Sequence, residues 1–128
     1  MLSNAQAIAT VGVRDIAKAR EFYTTVLGLQ EGEAGDCTGG EVLSFQSGNS
    51  RIYVYRSEFA GSNQATAITW DVGDQIEEIV VDLKSKGADF EHYSMEGMRL
   101  EGDLHVGEGM KVAWLKDPDG NILSIAGK

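Results

Sequence analysis

Few side chains in this 128-residue chain could do chemistry unaided. Its two histidines, His92 and His105, stand in or beside one long stretch, "EHYSMEGMRLEGDLHVGEG", with Glu91, Glu96 and Asp103 close in sequence. Imidazole and carboxylate groups are the usual donors to a divalent ion, so these five are the candidates for a metal site in that stretch. They do not occupy alternating positions of one strand, the spacing that would bring them to one face. His105 by itself could exchange a proton near neutral pH, as a general base or a hydrogen-bond partner. Tyr53, Tyr55 and Tyr93 and the hydroxyl of Ser124 add polar contacts among apolar neighbours. The single cysteine, Cys37, excludes an internal disulfide and accords with a reducing compartment. Its setting, "GEAGDCTGG", is that of an incidental loop thiol. No nucleophile–base pairing, phosphate-binding glycine loop or zinc spacing is legible.

The elements that must position these residues come from an internal repeat. "ATVGVRDIAKAREFYTTVLGL" reads strand, Asp, helix, Gly, strand, and "AITWDVGDQIEEIVVDLKSKGAD" from Ala67 reads the same way. Asp15 and Asp74 are 59 residues apart, as are Gly28 and Gly87. Each Asp suits a helix N-cap and each Gly the left-handed position beyond a helix end. Ile16, Ala19, Phe22, Tyr23 and Val26 give the first helix its core stripe, and Ile76, Ile79, Val80 and Leu83 the second. Short strands follow each helix. EVLSF, SGN and RIYVY in the first half correspond to KVAWL, DPDGN and ILSI in the second. The Pro-Asp-Gly-Asn turn predicts a β-hairpin, because Pro pre-sets one turn position while Gly and Asn tolerate positive φ.

The chain is therefore an α+β protein of two βαβββ modules, about 5–56 and 65–126, within one domain, 1–128. Residues 57–64 connect the halves, and 94–109 form an irregular loop with the length of a lid or binding loop. Strand alternation puts Ala9, Val11 and Val13 on one face, with Ile8, Thr10 and Gly12 opposite. Ile68, Trp70 and Val72 likewise oppose Ala67, Thr69 and Asp71. The apolar faces pack under the helices, and the mixed faces suit a cavity wall that Tyr53, Tyr55 and Ser124 would also line.

The bulk numbers exclude several classes. Apolar residues make up 42% and charged residues 24%, the balance of an ordinary globular protein. A net charge of −9 argues against nucleic-acid backbones and would suit a cationic ligand or plain solubility. No apolar run approaches the roughly 18 residues that span a bilayer. "MLSNAQAIAT" has neither a basic region nor a long apolar one, so no signal peptide is read there and a cytoplasmic location is expected.

"RDIAKAREFYTTVLGL" and "WLKDPDGNILSI", set in two βαβββ modules, resemble the vicinal oxygen chelate superfamily of glyoxalase I, extradiol dioxygenases, fosfomycin-resistance enzymes and bleomycin-resistance proteins. The resemblance runs from about Ile8 to Ile125 and is nearest to small glyoxalase-like members. It implies a curved mixed sheet around a cavity, with the helices outside. In the superfamily's enzymes that cavity holds a divalent metal. The ligand positions fall five residues before Val13, at Ile8; five before Val72, at Ala67; four after the turn glycine, at Ser124; and on RIYVY, at Tyr53. None is His, Glu, Gln or Asp, so the resemblance implies no metal here.

The reading that follows is a metal-independent protein whose pocket binds a small organic molecule, in the manner of bleomycin-resistance proteins that sequester a drug. Its expected lining is Ile8, Thr10, Tyr53, Tyr55, Ala67, Thr69, His105, Trp114 and Ser124, with no cofactor and no membrane or nucleic-acid partner. A lyase, isomerase or dioxygenase-type enzyme in the same cavity, through displaced ligands or through Tyr53, Tyr55, Tyr93 or His105, is the alternative. A structural or regulatory module plugged by Phe45, Tyr55 and Trp114 is the second. Sheet edges left by paired modules predict a homodimer.

Overall fold

The computed structural model describes residues 1–32 and 42–128, so Cys37 lies outside the described residues. Two compact units are formed, one from 1–63 with 118–121 and the other from 64–117 with 122–128. Each carries a βαβββ core.

In the first unit, β1 (Ala9–Val13) leads into α1 (Ile16–Glu21), and then come β2 (Gln30–Gly32), β3 (Val42–Ser47) and β4 (Ser50–Arg56). Asp15 caps α1, its carboxylate accepting from the Lys18 amide at 3.1 Å. The helix then widens into a π turn over Phe22–Val26, closed by Leu27 N–H on the Phe22 carbonyl. The β-branched run Thr24, Thr25, Val26 favours this, and the Thr24 hydroxyl bonds back to the Arg20 carbonyl at 2.6 Å. The widened turn buries two successive rings, Phe22 and Tyr23, and Tyr23 stacks on Phe45 at 5.5 Å. Gly28 follows at φ 73°, ending the helix as its sequence position predicts.

The strands form one open sheet in the order β1-β4-β3-β2. β1 and β4 run parallel because a helix carries the chain between them, whereas β3 and β4 are joined by a Gly48–Asn49 hairpin turn and run antiparallel. Val11, Val13, Leu43, Phe45, Ile52 and Val54 are buried, so the apolar face is the one alternation indicates. The Pro118–Asn121 turn belongs to this unit. The Asn121 amide donates to the Gly12 carbonyl at 2.7 Å. Gly61, at φ 71°, comes so close that a Cβ there would sit 1.9 Å from the Asp119 carbonyl oxygen.

The second unit contains β5 (Thr66–Gly73), α2 (Ile76–Ser85), β6 (Phe90–Glu91), β7 (Arg99–Glu101), β8 (Leu104–Gly107), β9 (Met110–Lys116) and β10 (Ile122–Gly127). Their sheet is also open, ordered β5-β10-β9-β8-β7 with β6 beside β9. Ile76, Val80 and Leu83 of α2 are buried on the side of the sheet that carries Ile68, Leu115, Leu123 and Ile125. Gly127 permits that approach, since a Cβ there would lie 2.9 Å from the Ile76 Cβ. Lys111, also on the helix side, is ion-paired with Glu77 of α2.

Two expectations are corrected. Asp74 does not cap α2. Gly73, at φ 60°, turns the chain, Gln75 takes the N-cap position, and no side chain caps the helix. The stretch 94–109 is not one irregular loop either, because β7 and β8 pair as a hairpin, Leu100 opposite His105. Its apolar positions, Leu100, Leu104 and Val106, alternate with polar ones too weakly to stand out among four glycines and four acids. Among the described residues no helix is long and apolar enough to cross a membrane.

Candidate functional site

The sheet face turned away from α2 in the second unit carries most of the polar and aromatic chemistry. Across the ladder Ser124 opposes Thr69 on one side and Trp114 on the other, and Val112 opposes His105. Partners directly across a ladder point to the same face, so Thr69, Ser124, Trp114, Val112 and His105 form one strip. The Thr69 and Ser124 hydroxyls lie 2.6 Å apart. Ser124 is 3% exposed and Thr69 is exposed. A buried donor without an acceptor is costly, so the Ser124 hydroxyl donates to Thr69 and leaves the Thr69 hydrogen facing outward.

β5 and β10 slip in register at Ala67. Ile122 opposes Thr66 and Leu123 opposes Ile68, so Ala67 has no partner across the ladder. The slip brings Thr66 to the same face as Thr69, although they are three residues apart. There its hydroxyl accepts the Trp114 indole N–H at 3.2 Å. Thr66 is the residue that sequence reasoning missed; strict alternation assigns it to the opposite face, and nothing in "QATAITW" announces the slip.

Trp114 stands beside two further rings. His105 is 4.8 Å away, centroid to centroid, and Tyr93 5.3 Å away, both edge-on to the indole. His105 is 1% exposed, and its Nε2 accepts the Tyr93 backbone N–H at 2.8 Å. Because Nε2 accepts, the neutral ring carries its hydrogen on Nδ1 and gives it to the Val112 carbonyl at 3.2 Å. Both nitrogens are thus engaged with backbone. His105 anchors the segment after β6 over the sheet, and no nitrogen is left to act as a base.

Beyond it, the His92 Nε2 and Asp103 Oδ1 are 2.8 Å apart, and Lys84 Nζ lies 2.9 Å from the other carboxylate oxygen. The His92 hydrogen bond, then that from Lys84, holds the Asp103 carboxyl below its ordinary range. This triad ties α2, the segment after β6 and the β7–β8 turn together. His92 and His105 engage different partners, and among the described residues no group of three or more His, Cys, Asp or Glu could hold a metal ion.

In the first unit Tyr53 lies between Thr10 and Ser44 across the ladders, on the face opposite the core. Thr10 is exposed and its hydroxyl donates to the Ile8 carbonyl at 3.2 Å. Tyr55 is 39% exposed and opposes Gly12. The nine expected lining residues therefore fall into two groups. Ile8, Thr10, Tyr53 and Tyr55 share a region of the first unit, and Thr69, His105, Trp114 and Ser124 share a strip of the second, with Ala67 displaced at its end.

The divalent metal of the superfamily's enzymes does not fit these donors. Ile8 and Ala67 have no lone pair to give, and the Ser124 hydroxyl is neutral and committed to Thr69. Tyr53 alone makes no ligand set. The face can accept and donate hydrogen bonds and can stack on rings.

Residues 6–125 match the profile described as Glyoxalase/Bleomycin resistance protein/Dioxygenase superfamily. Among solved structures, the chain is similar to a glyoxalase/bleomycin resistance protein/dioxygenase from Alicyclobacillus acidocaldarius, with TM-score 0.71 and 17% identity over 97% of this chain and 91% of that one. The fosfomycin resistance protein FosX from Listeria monocytogenes superposes with TM-score 0.69 and 12% identity, over 98% and 93%. The antibiotic binding protein TnmS3 from Streptomyces sp. CB03234 gives TM-score 0.69 and 17% identity, over 99% and 98%. No curated protein matches the chain.

Proposed function

This chain belongs to the glyoxalase/bleomycin resistance protein/dioxygenase superfamily, and from that premise we propose that it binds a small organic molecule without a metal and holds it without transforming it. The observation that carries this reading is the donor set. Where the superfamily's enzymes place metal ligands, this chain has Ile8, Ala67, Tyr53 and Ser124, and around Ser124 it has built a hydroxyl and aromatic face instead.

The binding face we assign centres on Thr69, Ser124 and Trp114, with Thr66 beside them and Tyr93 over His105. Such a lining, mostly apolar and aromatic with a few placed polar groups, is what small-molecule sites use. His105 opposes an acid–base role because its nitrogens already serve Tyr93 and Val112. A neighbour of the same fold is named for antibiotic binding, which supports a drug-like ligand. Ile8, Thr10, Tyr53 and Tyr55 are proposed as ligand contacts of the first unit, and residues 1–128 as one domain. We also propose a homodimer; gel filtration giving a species near 13.8 kDa would count against it.

The test is a fragment screen read by amide and indole NMR signals. Ligands of this face shift the Trp114 indole and the Thr69 and Ser124 amides, equally with and without a chelator. Shifts that appear only when a divalent ion is added would contradict the reading.

A further inference from the structure

We infer that the Thr69–Trp114 face takes a neutral, planar aromatic molecule bearing a hydrogen-bond acceptor, of the aryl ketone kind. The ligand class presupposes the binding face proposed above and is carried by hydrogen counts and charge. With Ser124 donating inward, the Thr69 hydroxyl hydrogen has no acceptor among the described residues. The Thr66 hydroxyl accepts from the Trp114 indole, and its own hydrogen is likewise uncommitted. Two outward hydroxyl donors thus stand on β5, on one side of the indole, whose N–H is already spent. A ligand is matched to the face when it supplies the oxygen that these donors lack.

Charge excludes the ionic versions. Lys84, Lys86, Arg99, Lys111 and Lys116 are each ion-paired within the second unit, to Asp103, Asp82, Glu101, Glu77 and Glu91. No cation of the strip remains to receive a carboxylate or phosphate. Two carboxylates stand in its register: Asp71 accepts the Gly73 amide at 3.2 Å, and Glu91, across from Trp114, is ion-paired with Lys116, so a cation finds no dedicated partner either. The ring requirement comes from Trp114, partly exposed and held by Tyr93 and His105. Along β9 the same face continues through Val112 to Met110, which is 45% exposed. Val112, between Trp114 and Met110, is only 7% exposed, so the ring meets the indole itself and not the whole length of the strand.

Three matched probes test this: fluorenone, fluorene, which has the same ring frame and no carbonyl, and fluorenone carboxylate. Titration is followed by the indole N–H signals, of which Trp70, opposite Ile125, lies on the other face of β5 and serves as the internal control. Fluorenone is expected to bind about fivefold more tightly than fluorene, the worth of one neutral hydrogen bond. The carboxylate should bind more weakly than fluorenone. Thr69→Val should bring fluorenone to the affinity of fluorene. Ser124→Ala, which keeps the Thr69 donor, should preserve the preference. Equal affinity of the two neutral probes at Trp114 overturns the acceptor class and leaves the binding face standing. Tightest binding of the carboxylate overturns neutrality. No Trp114 shift with any probe overturns the face itself.

Discussion

Replacing His105 with leucine separates a structural histidine from a working one. Leucine nearly preserves the volume of a side chain that is 1% exposed, but it strands two backbone groups, the Tyr93 N–H at 2.8 Å and the Val112 carbonyl at 3.2 Å. An unpaired buried group costs about 1–3 kcal/mol. The Val112 carbonyl bears the fuller cost, and water relieves part of it at half-buried Tyr93. Losing the edge-on contact with Trp114 adds about 0.5–1 kcal/mol. The gain from a more apolar side chain offsets some of this, leaving a net loss of about 3 kcal/mol. For a chain of this length that lowers Tm by about 10 °C. Equilibrium urea unfolding at constant m-value measures the loss, and amide hydrogen exchange at Tyr93 should accelerate in parallel. His105→Gln, which retains one polar contact, should fall between the two. A loss below about 0.5 kcal/mol with Tyr93 exchange unchanged would refute the anchoring role and return His105 to the list of candidate bases.

Other changes test separate parts of the account. Gly61→Ala forces positive φ on a side-chain-bearing residue and drives a Cβ to 1.9 Å from the Asp119 oxygen, so it should cost about 2–4 kcal/mol in denaturant unfolding. Asp103→Asn removes the clasp to His92 and Lys84 and should cost about 1 kcal/mol above pH 5. Because the folded-state carboxyl titrates below its unfolded value near 3.9, that contribution is present at higher pH and is lost as pH falls through about 4 and below. Wild-type stability should therefore drop more steeply than the variant's between pH 5 and 3. Ala67→Trp, at an exposed position outside the ladder, should block ligands of the face while shifting Tm by less than about 3 °C; undiminished binding would misplace the site.

The fold was legible because its signals repeat. Asp15, Gly28 and the 59-residue offset to Gly87 mark helix ends that local chemistry determines, and Gly28 and Gly87 both adopt positive φ. The Asp-Pro-Asp-Gly-Asn hairpin forms with Gly120 at φ 91° because no other residue there adopts that angle cheaply. Asp74 misled because a cap depends on where the preceding strand stops, and Gly73 moves that point by one residue. The β7–β8 hairpin was obscured because its strands are only 3 and 4 residues long, too short for their weak apolar alternation to register, although both turns beside β8 are tight and local. For the site, alternation put Thr69 on the mixed face of β5, but the faces of Ser124 and Trp114 were set only by the ladder register that joins the three. Thr66 was not legible, since a register slip inverts alternation without any local signature. His105 could be singled out by type, but its tautomer is set by the Tyr93 amide, which only the fold supplies.

The central claim, a ligand face without a metal, is tested most directly by metal stoichiometry. The untagged protein, incubated with excess manganese, nickel, zinc or iron(II) and then desalted, is measured by plasma mass spectrometry. The donor set at Ile8, Ala67, Tyr53 and Ser124 predicts less than about 0.1 ion per chain for each metal. One ion per chain, lost on replacing Ser124 or Tyr53, would contradict the account and restore a metal centre.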